Sequence, residues 1–438
     1  MNQRYFAIRV FGCQMNVYDA DRLRETLTSR GWAEGGEGDA DFVIFVTCSV
    51  RDKAEQKVLS ELGKYRASWE DCGKPRIALL GCMAARTGAE VAKKFPWIRV
   101  VAGPENLGGV ADAMEESYEG GAPRLITGDT PELSCVPLSR SNRHKAYITI
   151  ANGCDQFCAY CIVPYVRGRF KSRPPEDILK EAETLVRGGA AEITLLGQNV
   201  NTYGRDLTGS LAGYGFSRLL ADTASIDGLK RLRYLTSHPS DFTDDILDVM
   251  TSRRNICPGI NLPVQAGSDK VLREMNRRYT RNEYISLARG IRAALPHAAL
   301  TTDLIVGFPG ETEDEFEQSV SLLEEVRFDL VHTAAYSPRE GTPAAKRADQ
   351  IPVRERARRL VRINGIQTEI SREINERMVG HKFEVLLDEP APKGEGLLQG
   401  RTAADKVVLV SAPPDMSGKF RDVLITASSP WCLDGEII

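Results

Sequence analysis

The chain has 438 residues, ten cysteines and a formal net charge of -3. That length exceeds one ordinary core and predicts about two or three domains, while the near-balanced charge excludes nucleic-acid binding by bulk electrostatics and leaves it to local basic patches. No run of about eighteen apolar residues occurs and Arg4 and Arg9 interrupt the N-terminus, so neither a membrane span nor a signal peptide is expected; cysteines in a reducing, cytoplasmic setting serve metals rather than disulfides.

In the first third, short β-branched runs alternate with amphipathic stretches. Tyr5–Phe11, Asp41–Val46, Arg76–Leu80 and Arg99–Val101 read as strands, and Tyr18–Arg30 and Arg51–Arg66 as helices. The alternation predicts an α/β, doubly wound parallel sheet, in which ligands sit beyond the carboxyl ends of the strands. Cys13, Cys48 and Cys82 fall at three such ends, and Cys13 and Cys82 each follow a glycine. Together they suit one metal cluster with an iron left open; singly, each reads as a small buried residue closing a strand. Cys72, Cys135, Cys257 and Cys432 lack that arrangement and read as structural or incidental.

Residues 121–143 recur in Gly, Pro, Ser and Thr and read as a linker. A second β-α series follows, with strands at Ala146–Ile150, Glu192–Leu196, Leu232–Leu235, Gly259–Val264, Leu300–Val306 and Leu330–Ala335, and helices such as Pro175–Arg187 and Asp269–Leu295. Six such units predict a partial (β/α) barrel with its ligands at the carboxyl mouth. After the first strand stand Cys154, Cys158 and Cys161, with three and two residues between them. That packing makes sense when three thiolates converge on one inorganic centre. A structural zinc wants a fourth ligand, and the nearest histidine, His144, lies upstream in a basic run. A cubane held by three cysteines keeps one iron for a substrate or cofactor.

Polar groups recur at the other strand ends: Gln198 and Asn199, Ser237 and His238, Gln265 and Ser268, and Asp303 with Gly307–Glu311. Each alone is equally a turn or cap residue. Arg167, Arg169, Lys171 and Arg173 alternate directly after the third cysteine. In an extended segment they would share one side, as a phosphate-binding face or as a solvated edge. Arg277, Arg278 and Arg281 add to this basic supply. Arg354–Arg377 reads as a charged, solvated helix, and Gly380–Ile438, in short alternating segments broken by Pro and Gly, as a small β-barrel.

The Cys-x3-Cys-x2-Cys run with Tyr160 before its last cysteine resembles the radical S-adenosylmethionine enzymes. Gly12-Cys13-Gln14-Met15-Asn16, Cys48, Cys82, Tyr165-Val166-Arg167-Gly168-Arg169, Leu196-Gly197-Gln198-Asn199-Val200, Leu262–Ser268, Tyr336-Ser337-Pro338 and Gly341-Thr342-Pro343 together resemble the methylthiotransferase family, almost end to end. Gln14-Met15-Asn16 and Val163–Arg169 favour the branch that converts N6-isopentenyladenosine at tRNA position 37 to its 2-methylthio derivative.

The resemblance implies an N-terminal methylthiotransferase domain over 1–120, a linker over 121–143, a radical S-adenosylmethionine domain over 144–372 and a TRAM domain over 373–438. It implies two 4Fe-4S clusters, one on Cys13, Cys48 and Cys82 and one on Cys154, Cys158 and Cys161, and two molecules of S-adenosylmethionine. Tyr160, Gln198, Ser237, Gln265 and Ser268 are the implied cofactor contacts, and Arg167, Arg169, Lys171 and Arg173 the implied RNA contacts. The implied partners are the tRNA anticodon stem-loop and a small electron-donor protein, around a cytoplasmic monomer. Relatives that act on a ribosomal-protein aspartate or on threonylcarbamoyladenosine define the alternative targets, and an iron-sulfur or RNA scaffold without turnover the alternative class. Ala266 departs from the family pattern, where serine is common, and so does Ser428–Cys432.

Overall fold

Phe42–Thr47 is buried at every position, the signature of a strand covered on both faces. It lies inside a six-stranded parallel sheet. The computed structural model describes residues 3–49, 52–127, 136–138, 140, 142–392 and 394–438, and the chain divides into two units, Met1–Asp155 with Cys161–Gly189 and Gln156–Tyr160 with Ala190–Ile438.

In the first unit the strands β1 (Arg4–Val10), β2 (Trp32–Glu34), β3 (Phe42–Thr47), β4 (Arg76–Gly81), β5 (Ile98–Ala102) and β6 (Arg124–Ile126) run in the spatial order β2-β1-β3-β4-β5-β6. Helices α1 (Gln14–Ser29), α2 (Asp52–Gly63), α3 (Arg66–Cys72), α4 (Cys82–Lys94) and α5 (Val110–Tyr118) connect them. Strand side chains alternate between faces: Ile44 and Val46 join Leu23, Leu27 and Met114 in one core, and Val43 and Phe45 join Val58, Leu62 and Trp97 in the other. This is the doubly wound sheet the sequence predicts, with two further edge strands. β6 lies inside the stretch read as a linker and pairs with β5, so the sheet reaches Ile126; three residues are too few to show a period. Cys135 lies outside the described residues.

The unit also contains β7 (Lys145–Thr149), β8 (Ala151–Asn152), α6 (Val163–Val166), β9 (Lys171–Ser172) and α7 (Pro175–Arg187), with β8 and β9 antiparallel.

In the second unit β10 (Glu192–Leu196) pairs in parallel with β11 (Arg231–Tyr234), and β12 (Gly259–Asn261), β13 (Ala299–Val306) and β14 (Leu330–Ala335) form a second parallel set. Leu232 bridges to Ile256 between the two. Helices α8 (Phe216–Ala224), α9 (Asp244–Ser252), α10 (Asp269–Glu274), α11 (Arg281–Ala294) and α12 (Glu313–Val326) alternate with the strands. The single helix expected over Asp269–Leu295 is two. Asn276 takes a left-handed φ of 59°, and Thr280 then caps α11 through a reciprocal capping box with Glu283.

Helix α13 (Val353–Glu376) packs against α12 and β14. Its charged face is not simply solvated, as the sequence reading had it. Arg359 is buried, with Nη1 2.7 Å from Glu311 Oε2 and Nε 2.8 Å from Glu355 Oε1, and Arg358 reaches Glu313. Glu355 is a local partner, but Glu311, which meets the buried Arg359, and Glu313 lie 48 and 45 positions upstream of their arginines, on the loop before α12 and on α12, beyond the reach of a local charge pattern.

The strands β15 (Lys382–Pro390), β16 (Leu397–Thr402), β17 (Val407–Ser411), β18 (Phe420–Ser428) and β19 (Leu433–Ile437) close into a five-stranded barrel around Val385, Leu387, Val408, Val410 and Val423. Two arginines of β11 fasten this barrel. Arg231 donates to the carbonyls of Arg401 and Glu384, and Arg233 to those of Ala403 and Thr402, each at 2.8 Å. Arg233 also pairs with buried Glu192 at 2.9 Å. Lys406 adds a further tie, its Nζ 2.8 Å from Asp329 Oδ1.

Arg233→Ala strands a buried carboxylate and two carbonyls, and is expected to cost about 3–5 kcal/mol. Chemical denaturation followed by circular dichroism checks this; a wild-type midpoint contradicts it.

Candidate metal centres

In the first unit the pairing register decides which side chains meet. Val10 lies opposite Val46, Val46 opposite Leu80, and Thr47 opposite Gly81. Continued past the strand ends, it sets Gly12 beside Cys48 and Cys48 beside Cys82. A Cβ on Gly12 would lie 2.5 Å from Cys48 Cβ, and one on Gly81 2.4 Å from the Thr47 carbonyl oxygen. Both glycines also have positive φ, 138° and 95°, so neither position admits a larger residue without strain.

Cys13 is exposed at the N-cap of α1, whereas Cys48 and Cys82 are buried. Arg167 Nε donates to Cys82 Sγ at 3.2 Å. Burial raises the Cys82 thiol above its ordinary pKa, Arg167 opposes this, and nearby Cys13 adds to the rise. Three sulfurs on adjacent strand ends, backed by glycines and faced by a cation, form a donor set suited to a thiolate-bound cluster. Among the described residues no three His, Cys, Asp or Glu side chains close to the span of a single ion. Thiols bound to separate irons of one cubane stand further apart than that.

Cys154 and Cys161 belong to the first unit. The Cys154 N–H donates to the Gly168 carbonyl at 3.3 Å, and Gly153 permits the turn, since a Cβ there would lie 2.1 Å from the Arg169 carbonyl oxygen. Cys158 belongs to the second unit, on a segment tied down at every step. Gln156 Nε2 donates to Asp241 at 2.8 Å, Asn276 Nδ2 to the carbonyls of Gln156 and Phe157 at 3.1 and 3.0 Å, and the Ala159 N–H to Met275 at 3.0 Å.

Arg277 Nη1 lies 3.5 Å from buried Cys158 Sγ, while Nη2 donates to the Pro263 carbonyl and Nε to Tyr279 Oη. Burial opposes the charge of Arg277, but Tyr160, Tyr279 and Cys158 raise its pKa above the ordinary arginine value. It is therefore not part of an exposed basic supply, as its place in the sequence suggested.

Around the second unit's strand ends, Asp241 accepts from Asn199 Nδ2 at 2.7 Å and pairs with Arg205 at 2.6 Å. His238 Nδ1 accepts from the Ser240 N–H at 3.3 Å, and burial, with Arg277, Arg205 and Arg278, pushes its pKa down to about 3. The imidazole is therefore neutral and carries its proton on Nε2. That atom, Ser237 Oγ and Asn199 Oδ1 are buried without a hydrogen-bond partner among the described residues. Buried polar atoms of this kind line sites that a polar ligand completes.

Gln265 stands at a φ of 71°, its N–H donating to Asp303 and its carbonyl accepting from Ile305. Ser268 is buried at the N-cap of α10 without a side-chain capping bond. Gln198 and Tyr160 are half-buried.

The basic stripe does not form one face. Arg167 is buried against Cys82. Arg173 is held at 2.7 Å by both Glu181 and the Thr149 carbonyl. Arg169 is exposed and pairs with Asp155 at 2.6 Å, and Lys171 is exposed. Alternation fails because α6 and the turn at Gly168 interrupt the extended segment before β9. Asp241 and Asn276 were missed altogether. An Asp two residues after His-Pro and an Asn in Met-Asn-Arg-Arg carry no local mark of their role, which is to fix a loop more than eighty residues upstream.

Family models match three stretches: the radical SAM superfamily over residues 148–323, the uncharacterized protein family UPF0004 over 5–103, and the TRAM domain over 376–438. The radical S-adenosylmethionine methyltransferase TsrM from Kitasatospora setae shares the fold, with a TM-score of 0.54 and 12% identity over 91% of this chain and 77% of that one. A tRNA-2-methylthio-N(6)-dimethylallyladenosine synthase of Carboxydothermus hydrogenoformans is 41% identical over 100% of both chains. One of Moorella thermoacetica is 40% identical over 100% of this chain and 99% of its own. The chain thus belongs to the tRNA-2-methylthio-N(6)-dimethylallyladenosine synthase family of radical S-adenosylmethionine enzymes.

Proposed function

We propose that the protein is a tRNA methylthiotransferase that places a methylthio group on C2 of N6-isopentenyladenosine at position 37 of tRNA. The observation that carries this reading is the convergence of Cys13, Cys48 and Cys82 on neighbouring strand ends, in a chain that also bears the Cys154, Cys158, Cys161 run. Two sets of three thiols support two 4Fe-4S clusters, each with one iron lacking a protein ligand.

C2 of adenine bears no acidic proton, so a general base has nothing to remove. When bound, the clusters and S-adenosylmethionine supply hydrogen-atom abstraction by a carbon radical and the source of the methylthio group. The protein's own share is position, charge and exclusion of water. Cys154, Cys158 and Cys161 hold one cluster; the ties from Asp241, Asn276 and Met275 fix the backbone that carries Cys158, and Arg277 supplies positive charge beside its sulfur. Tyr160, Gln198, Ser237, Gln265 and Ser268 are the proposed contacts for S-adenosylmethionine. Ser237 Oγ and the Nε2–H of His238, unpaired among the described residues, suit its polar groups. Cys13, Cys48 and Cys82 hold the other cluster.

Arg169 and Lys171 are the proposed RNA contacts that stay exposed. A small electron-donor protein supplies the reducing equivalents, and the enzyme acts as a monomer in the cytoplasm. No helix among the described residues is long and apolar enough to cross a membrane.

Deleting the gene is expected to abolish 2-methylthio-isopentenyladenosine in tRNA and to leave isopentenyladenosine in its place, by nucleoside mass spectrometry. Unchanged 2-methylthio-isopentenyladenosine would refute the assignment. In the purified protein Cys13→Ala and Cys158→Ala should each remove about half of the iron and sulfide after anaerobic reconstitution; full iron in either variant speaks against two clusters.

A further inference from the structure

Arg167 follows the short helix α6, and its guanidinium is buried. A desolvated cation is costly unless anionic or polar acceptors surround it, so its neighbours disclose what it serves. Nε donates to Cys82 Sγ at 3.2 Å, while Nη2 lies 3.5 Å from both Asn16 Oδ1 and Asp19 Oδ2. A strut of ordinary structural type would spend its closest hydrogen bond on the carboxylate; here the sulfur receives it.

The approach is fixed from both sides. Ile162 and Val166 pack on Cys82 in one apolar cluster. Asn16 is anchored by its own Nδ2 bond to the Phe11 carbonyl at 3.0 Å, with its oxygen 3.8 Å from Cys13 Sγ. The guanidinium thus stands at the edge of the converging thiols; burial opposes its charge, and Cys82, Asp19 and Cys13 hold that charge in place.

We propose that Arg167 is a positioning residue for the N-terminal iron-sulfur centre, donating a charge-assisted hydrogen bond to the iron-bound sulfur of Cys82 and thereby raising the reduction potential of that centre. The inference rests on the two-cluster reading above. One electron from an external low-potential donor enters the centre, no proton is taken up, and the added negative charge is stabilised by the adjacent cation. Hydrogen bonds to cluster sulfurs and nearby charge are the levers that set such potentials. Arginine keeps its proton throughout the accessible pH range, so the contribution is constant with pH.

The test uses the full-length chain with Cys154, Cys158 and Cys161 replaced by alanine, so that only the N-terminal centre is built. Anaerobically reconstituted protein is titrated with dithionite and read by electron paramagnetic resonance. Arg167→Gln is expected to shift the one-electron equilibrium at least about tenfold toward the oxidised form, a potential about 59 mV lower. Arg167→Lys, which keeps the charge without the planar fork, should recover part of the shift. An unchanged potential in Arg167→Gln overturns the proposal. Loss of iron from Arg167→Gln but not from Arg167→Lys, with native circular dichroism in both, supports it; loss from both assigns Arg167 a packing role and overturns it. Should the parent bind no cluster, the two-cluster reading itself falls, and this inference with it.

Discussion

The register of three adjacent parallel strands is the constraint from which the rest of the N-terminal site follows. Because β1, β3 and β4 are neighbours and their pairing is continuous, residues far apart in sequence arrive at one edge of the sheet. A slip of one residue would turn each strand's side chains to the opposite face and exchange the two cores. The cores on the two faces, one around Leu23 and Met114 and the other around Leu62 and Trp97, therefore guard the thiol geometry as well as the stability. Gly12 and Gly81 complete the arrangement where neighbouring strand ends come too close for a side chain.

A second regularity concerns charge. Arg167 in the first unit and Arg277 in the second are both buried, and each aims a guanidinium N–H at one cysteine sulfur. A cation in a dry environment acts on an anionic centre far more strongly than one in water. The reaction offers no proton for acid-base residues to move, so fixed positive charge, apolar walls and constrained loops are what a polypeptide can contribute to cofactor chemistry. The neutral, buried His238 fits the same economy: its proton stays on Nε2 as a fixed donor and does not titrate near neutrality.

Much of this was legible in the sequence because the signals were local. Uninterrupted apolar runs marked the central strands, and the spacing of Cys154, Cys158 and Cys161 marked one proposed ligand set. Placement just past predicted strands marked Cys13, Cys48 and Cys82, which the pairing register brings to neighbouring strand ends. What escaped was set by contacts distant in sequence. Edge strands β2 and β6, of three residues each, carry no period. Arg167 and Arg173 look like a basic stripe until α6 and the Gly168 turn rotate them inward toward Cys82 and Glu181. Helix α13 looks like a solvated charged face until Glu311 and Glu313 meet it. The break between α10 and α11 was readable in principle, since Thr280 and Glu283 spell a capping box; the apolar periodicity that continues through it concealed the signal.

The claim on which everything rests is that three strand-end thiols, and no others, hold an iron-sulfur cubane in the N-terminal unit. Mössbauer spectroscopy of the chain lacking Cys154, Cys158 and Cys161, reconstituted with isotopically enriched iron, addresses it most directly. The account predicts the quadrupole doublet of a 4Fe-4S centre, with one iron site distinguishable from the thiolate-bound rest on adding a small ligand, and its disappearance on replacing Cys48. A spectrum of mononuclear or adventitious iron, or a cubane that survives the loss of Cys48, would contradict it.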